Sequence, residues 1–269
     1  MTILVTGATG NIGRKVVDQL LTRGATDVRA LTTDPERAAL PEGVEVARGW
    51  LRRPHTLPAA LRGVDRMYLA PTPDTVDEVL AAARDAGVRH VVDLSGEPES
   101  WWGSVTRAVE ASGIAWTHLW PGDFFENALT WAPQVRAART VREPWPHAAS
   151  APIAMDDIAA VAATALLDEG SHVHRAHSLT GPETLRRTAL VERIAAALGE
   201  PVGFVEVPRD EAVAVLEPVM GADAVWYVDA VLGGFAEHAR EATPIVEELT
   251  GKPGTTFAAW AVENVDAFR

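Results

Sequence analysis

The stretch ILVTGATGNIG, residues 3 to 13, spaces glycines at 7, 10 and 13 directly behind an apolar run. Glycine weakens strands and helices alike, so three at this spacing mark a place that side chains would block. The pattern G-x-x-G-x-x-G between a strand and a helix suits a dinucleotide. One glycine permits the tight turn, another lets backbone N–H groups approach a pyrophosphate, and the third allows close helix–strand packing. The helix then turns its positive N-terminal end toward the phosphates. The cofactor-binding candidates here are Gly7, Thr9, Gly10, Asn11, Ile12 and Gly13. The tip of the second strand, Thr32-Thr33-Asp34-Pro35-Glu36-Arg37, normally selects between NAD, through an acidic residue, and NADP, through a basic one. Thr32 and Thr33 are neither, and Asp34 comes late. Arg37 can swing onto a 2′-phosphate or remain a solvated helix residue, so the choice between NAD and NADP stays open.

Reduction of a simple ketone by a nicotinamide enzyme needs a proton donor, in many cases a Tyr-x-x-x-Lys pair. The tyrosines are Tyr68 and Tyr227, with Thr72 and Val231 four residues later, and the only lysines are Lys15 and Lys252. That pair is therefore absent. A quinone asks for less: it accepts hydride readily, and its product oxyanion takes a proton from water or a weak acid. The enzyme then mainly stacks and orients a flat ring. Six tryptophans between 101 and 145 either suit such a ring or serve as core and subunit contacts. Trp101 and Trp102, just past a strand tip, are the pocket candidates, and Trp116 and Trp120, inside a strand, are core. Ser95 at a strand tip either bonds a substrate oxygen or caps the turn. Asp123 either orients a substrate hydroxyl or caps the following helix. His118, in mid-strand, reads as a satisfied core histidine, and His147 lies in a loop. The run Ser171-His172-Val173-His174-Arg175-Ala176-His177 lacks metal-ligand spacing, so no metal is expected. A hydrolase elbow and an NTPase phosphate loop are both missing.

These residues need a scaffold. Strands are expected at 2–6, 28–32, 44–49, 66–71, 90–96 and 115–121, and helices at 12–23, 74–86 and 103–112, with a short helix from Pro35. Strands alternating with helices imply α/β: a Rossmann-type doubly wound parallel sheet with helices on both faces. Beyond about residue 125 the rhythm changes. Helices are expected at 124–139, 156–170 and 184–198, strands at 176–181 and 203–208, and a loop at PWPHAASAP. The expected division is a dinucleotide-binding domain over 1–180, its sheet completed by strands near 115–121 and 176–180, and a smaller C-terminal α/β substrate-side region over 181–269.

The chain has 269 residues and a formal net charge of −13, which repels phosphate backbones and argues against nucleic acid as a partner. It has no cysteine, which removes disulfides, thiolate metal sites and thiol nucleophiles. It has no apolar run of membrane-spanning length and no signal-peptide pattern, so a cytoplasmic protein away from membranes is expected, as monomer or homodimer.

The chain resembles the NmrA-like group of atypical short-chain dehydrogenases/reductases, which includes NAD(P)H-dependent quinone reductases and redox-sensing regulators. The resemblance rests on TGATGNIG, ASGIAWTHLWPGDFFENAL (111–129), APIAMDDIAAVAATAL (151–166), LTGPE (179–183) and EELTGKPGTTFAAWA (247–261). It implies NAD(P)H as cofactor, with the nicotinamide surrounded by Ala70-Pro71-Thr72, Ser95-Gly96 and Pro121-Gly122-Asp123-Phe124. It also places Asn127 near the active site. Ser95, Asp123 and Asn127 are then the catalytic candidates, and Trp101, Trp102, Phe124 and Phe125 the substrate-binding ones. Two positions depart from the family: Thr33 stands where NADP-preferring members often carry Arg, and Gly49-Trp50 where Gly-Asp often ends the third strand. Trp50 either stacks on the adenine or packs against the sheet. The expected substrate is a quinone or polycyclic aromatic. Arginine-rich composition and abundant tryptophan are compatible with bacterial aromatic polyketide tailoring and antibiotic biosynthesis, where the reduced product would pass to a partner oxygenase. Two other readings stand beside this one. The first is a non-catalytic NAD(P) sensor acting on a protein partner. The second is a reductase of activated carbon–carbon or carbonyl bonds, whose proton donor the sequence does not reveal.

Overall fold

A computed structural model describes residues 1–168 and 170–269. The chain divides into two compact units, Met1–Pro121 with Met155–Leu179, and Gly122–Ala154 with Thr180–Arg269.

In the first unit, β1 (Thr2–Val5), β2 (Val28–Thr32), β3 (Glu45–Arg48), β4 (Val64–Leu69), β5 (His90–Leu94) and β6 (Ala115–Pro121) follow the expected strands to within two residues at most ends. The chain then leaves for the other unit, where β7 (Thr140–Glu143) and β8 (Ala149–Ser150) lie. It returns as β9 (Arg175–Leu179). The sheet order is β3-β2-β1-β4-β5-β6-β9, and every pairing is parallel. This is the expected Rossmann-type sheet.

Helix α1 (Asn11–Thr22) buries Val16, Val17 and Leu20, one apolar stripe at helical spacing. The chain turns out of it through Gly24, whose φ of +83° suits glycine. A short helix α2 (Pro58–Leu61) was not anticipated, because its four residues are too few to show a period. Helices α3 (Val76–Asp85) and α4 (Gly103–Ala111) bury Val79, Leu80, Val105 and Val109 with the strand residues Leu4, Leu31, Met67, Leu69 and Val91. Side chains alternate along a strand, so Ile3, Val5, Tyr68 and Val92 turn to the opposite face. Helix α5 (Ala132–Ala138) belongs to the second unit. Helix α6 (Met155–Leu167), rich in buried alanine, packs against α1.

On β6, Trp116, His118 and Trp120 share a face. The His118 ring stacks between the two indoles, 4.0 Å from Trp116 and 5.8 Å from Trp120. Its Nδ1 lies 2.6 Å from Asp93 Oδ2, and both side chains are fully buried. His118 is thus a core histidine whose Nδ1 is satisfied by Asp93, whereas its buried Nε2 has no hydrogen-bond partner among the described residues, which corrects the expected fully satisfied ring. On the neighbouring strand β9 and the turn before it, His177 and His172 of the histidine run approach to 3.3 Å between ring nitrogens.

The second unit corrects the expected boundary near residue 180. Residues 122–154 belong with the C-terminal residues because their strands pair there: β7 runs parallel to β11 (Gly203–Glu206), and β8 pairs antiparallel with β10 (Leu185–Arg186). A two-residue strand such as β8, inside a Pro- and Ala-rich loop, has no period to read. The expected helix 124–139 is a 3-10 turn over Phe125–Trp131 followed by α5. Helices α7 (Arg187–Leu198), α8 (Arg209–Met220), α9 (Asp223–Trp226), α10 (Gly233–Glu237), α11 (Ile245–Thr250) and α12 (Phe257–Glu263) complete the unit. A π-helical segment, Tyr227–Leu232, joins α9 to α10. Phe125, Trp131, Phe257 and Trp260 meet in its core. The short pieces Pro35–Arg37 and Pro73–Thr75 are 3-10 turns, so the helix expected from Pro35 is a single turn.

Gly13 sits where α1 crosses the exit of β1. A Cβ there would overlap the carbonyl of Gly7, a backbone atom that cannot swing aside. Gly13→Ala is therefore expected to cost about 1–3 kcal/mol, as overpacking does. Urea denaturation without cofactor measures it. An unchanged midpoint would show that the helix backs away freely.

Candidate active site

Seven parallel strands place all their C-terminal ends on one edge. That edge carries Thr6-Gly7, Thr32-Thr33, Gly49-Trp50, Ala70-Pro71-Thr72, Ser95-Gly96 and Pro121. The strand order reverses at β1 and β4, which opens the crevice where such sheets bind ligands. Thr6, which the glycine pattern overlooks, ties this crevice together. Its hydroxyl donates to the Tyr68 carbonyl at 2.9 Å and accepts the Ala70 N–H at 2.9 Å.

Gly7 adopts φ +59°, and a Cβ on it would stand 3.0 Å from Ala70 Cβ. Gly10 caps α1 without any side-chain hydrogen bond, and the first turn has no acidic residue. Thr9, Gly10 and Asn11 are exposed. A bare backbone loop, a helix N-terminus and no competing carboxylate in that turn fit the pyrophosphate of NAD(P)H. Gly7, Thr9, Gly10, Asn11 and Ile12 are the residues that would hold it. Gly13 is buried and serves packing rather than contact.

At the β2 tip, Thr32 is buried and its hydroxyl accepts the Asp34 N–H at 3.2 Å, whereas Thr33 and Arg37 are exposed. At the β4 tip, Pro71 is exposed and Thr72 is buried. The Thr75 hydroxyl donates to Leu51 O at 2.9 Å and lies 2.8 Å from the Thr72 hydroxyl, which therefore supplies the proton of that contact. At the β5 tip, Ser95 is 5% exposed, and its N–H donates to Leu119 O at 3.1 Å. The Thr106 hydroxyl lies 3.0 Å from Ser95 Oγ and 2.6 Å from Gly96 O. This holds the Ser95-Gly96 turn against α4. Trp102 packs beside Gly96, and Trp101 is 72% exposed.

Asp123 and Asn127 belong to the second unit and to each other. Asp123 Oδ1 accepts the Phe124 N–H at 3.0 Å and the Asn127 amide N–H at 2.7 Å. Its Oδ2 accepts from Ser150 at 3.2 Å and faces Arg187 at 3.5 Å. Arg187 in turn donates two bonds to Glu143, at 2.7 and 2.9 Å, and lies over the Trp131 ring at 4.6 Å. Trp131 Nε1 donates to Glu143 at 3.0 Å. Burial works against the Arg187 charge, but Glu143 and then Asp123 outweigh it and hold the guanidinium protonated. Asp123 is thus a buried anchor, not a free base or a helix cap, because its carboxylate is committed within the unit. Its contact fixes the amide of Asn127. Phe124 is half-buried. Phe125 leaves the substrate-binding set, since it is 2% exposed and packs edge-on against Phe257 at 5.1 Å. Arg187, Glu143 and Ser150 gave no sequence signal, because nothing local distinguishes a buried Arg or Glu from a solvated one.

Neither tyrosine can reach a substrate. Tyr68 is 1% exposed, and burial, with the Asp93 carboxylate, pushes its phenol above the ordinary range. Tyr227 is 2% exposed, and burial pushes it up against the pull of Arg187. Lys15 pairs with Asp156 at 2.7 Å.

An NAD(P)H-binding family model matches residues 7–97. The chain is 38% identical, over 99% of both chains, to a (4-alkanoyl-5-oxo-2,5-dihydrofuran-3-yl)methyl phosphate reductase of Streptomyces griseus. The chain belongs to the NAD(P)H-binding, NmrA-like atypical short-chain dehydrogenases/reductases. It is 35% identical, again over 99% of both chains, to an NAD(P)H azoreductase of Xenophilus azovorans. Among solved structures it resembles an NADPH-dependent quinone oxidoreductase of Escherichia coli, with a TM-score of 0.86, 25% identity and coverage of 97% of this chain and 99% of that one. This family member is an NAD(P)H-dependent oxidoreductase. No helix among the described residues is long and apolar enough to cross a membrane.

Arg187→Met strands two buried carboxylates and is expected to cost about 3–5 kcal/mol. Adding Glu143→Gln should recover part of the loss. Chemical denaturation of the single and double variants measures both. A single variant as stable as the parent would contradict the anchoring role.

Proposed function

We propose that this oxidoreductase reduces a flat, electron-poor conjugated acceptor, a quinone or a polycyclic, polyketide-derived aromatic. The observation that carries this reading is the burial of both tyrosines, 1% and 2% exposed, in a chain whose two lysines lie outside any Tyr-x-x-x-Lys pair. An unactivated ketone needs an acid at its oxygen as hydride arrives. A quinone delocalises the charge it receives, so water can complete the proton transfer. Reduced nicotinamide, when bound, supplies the hydride. The protein binds and orients.

In this reading Thr6 and the Thr106-held Ser95-Gly96 turn keep two strand tips rigid beside the nicotinamide end. Trp101 and Trp102 offer aromatic surface to the acceptor ring, and Ser95 supplies a hydrogen bond to one of its oxygens; in the second unit, Asn127 is a separate polar candidate. Asp123 is a positioning residue acting through Asn127. The names of the relatives support the acceptor class: quinone, azo compound and acylated furanone are all conjugated and electron-poor. A reduced dihydroxyarene would suit an oxygen-using partner enzyme, making the pair a hydroxylating system within aromatic natural-product assembly.

The test is anaerobic consumption of reduced nicotinamide with a panel of simple and polycyclic quinones, an azo dye, an acylated furanone and an unactivated ketone. Turnover with conjugated acceptors and none with the ketone is expected. Trp102→Ala should lower kcat/KM for polycyclic quinones about tenfold or more while leaving nicotinamide affinity unchanged. Ketone reduction matching quinone reduction would overturn the reading.

A further inference from the structure

The β2 tip, where an acidic or basic residue ordinarily selects the cofactor, carries the neutral pair Thr32-Thr33. The neighbouring β3 exit is different. Residues 48–53 read Arg-Gly-Trp-Leu-Arg-Arg, three cations without an acid, in a chain with a net charge of −13. Several arginines of this protein face carboxylates, as Arg29 does Glu45 at 2.9 Å and Arg209 does Asp229 at 2.6 Å. Among the described residues, Arg37, Arg48, Arg52 and Arg53 make no such pair, and all four are exposed. An acidic protein that leaves four adjacent-tip arginines uncompensated offers them to an anion from outside.

The same exit presents an aromatic surface on a rigid mount. Trp50 remains 40% exposed. Its N–H donates to Thr56 Oγ1 at 3.0 Å, and its carbonyl accepts the Arg53 N–H at 2.8 Å, closing a tight turn. Leu51 between them packs into the core, and its carbonyl accepts from Thr75. The Gly49 N–H donates to Thr32 O at 2.9 Å, which pins the turn to the β2 tip. The Arg53 guanidinium lies 5.0 Å from the Trp50 ring centroid, a cation–π arrangement that holds it in place. An ordinary solvated tryptophan or arginine would not need five such restraints.

We propose that cofactor selection has moved from the β2 tip to the β3 exit. Trp50 is the platform for the adenine, and Arg53, with Arg37 of the turn after β2, binds the ribose 2′-phosphate, so the enzyme prefers NADPH to NADH. Asp34 and Glu36 are the opposing charges at the β2 tip. Asp34 points its N–H to Thr32 and precedes the turn, and the four cations outnumber the two acids. This inference rests on the dinucleotide site and not on the identity of the acceptor.

Calorimetric titration tests it without turnover, using adenosine 2′,5′-bisphosphate and adenosine 5′-monophosphate on the whole protein, with NADPH and NADH beside them. The parent should bind the 2′-phosphorylated ligand of each pair about tenfold tighter or more, a margin that shrinks with added salt. Arg53→Met should remove most of that margin while leaving adenosine 5′-monophosphate unaffected. Trp50→Ala should weaken both members of each pair about tenfold, as loss of an aromatic stacking surface does. Both side chains are exposed, and an unchanged unfolding midpoint will confirm intact variants. Equal affinity of the parent for the two members would overturn the proposal. So would an Arg53→Met variant that weakens both equally, or a Trp50→Ala variant that weakens neither.

Discussion

The nucleotide half of this enzyme depends on one close approach, the first turn of α1 against the backbone leaving β1. Only a residue without a Cβ at Gly13 allows it. That contact sets the direction of α1 and brings its N-terminal N–H groups to the sheet edge. Once β1 and α1 are fixed, Thr6 ties the β1 exit to β4 through two hydrogen bonds, and Thr75 ties the β4 exit to the turn after β3. The strand tips are thus fastened to one another by backbone groups and threonine hydroxyls. Few of the groups doing this fastening would touch a ligand.

The second unit solves a different problem by different means. It buries Arg187 together with Glu143 and Asp123, at a desolvation cost that pays off only because every partner is placed. Two nearly parallel bonds to Glu143, the Trp131 ring and the Ser150 hydroxyl complete the set. Such a cluster tolerates one arrangement of four separate segments. It therefore orders the segment that carries Asn127, the amide of which Asp123 holds directly.

The first unit was legible because its signals are local. Glycine spacing, apolar runs of strand length and helix-ending glycines sit within a dozen residues of one another. Strand β2 matches its expected limits at both ends, and so does β6. The second unit was legible only in part. Arg187 and Glu143 meet across 44 residues of chain, and β7 and β8 find their partners beyond residue 180. Neither pattern has a period or a motif. Asp123 was visible as a polar residue after Pro-Gly, yet its role depends on an arginine 64 residues away. Phe125 looked like its neighbour Phe124, and only the fold separates a core ring from a half-buried one. The cluster of charge at the β3 exit was visible as letters, but its exposure and the rigid turn that carries it needed the fold.

The central claim is that the protein supplies no acid to the reacting acceptor. The pH dependence of hydride transfer in a single turnover, with a quinone and excess enzyme-bound reduced nicotinamide, tests it most directly. The rate should be flat between about pH 6 and pH 9, because no side chain titrates into or out of a catalytic role. Tyr68→Phe and Tyr227→Phe should leave that profile in place. A rate that falls about tenfold per pH unit across a single ionisation, abolished by replacing one side chain, would reveal a protein proton donor and contradict the account.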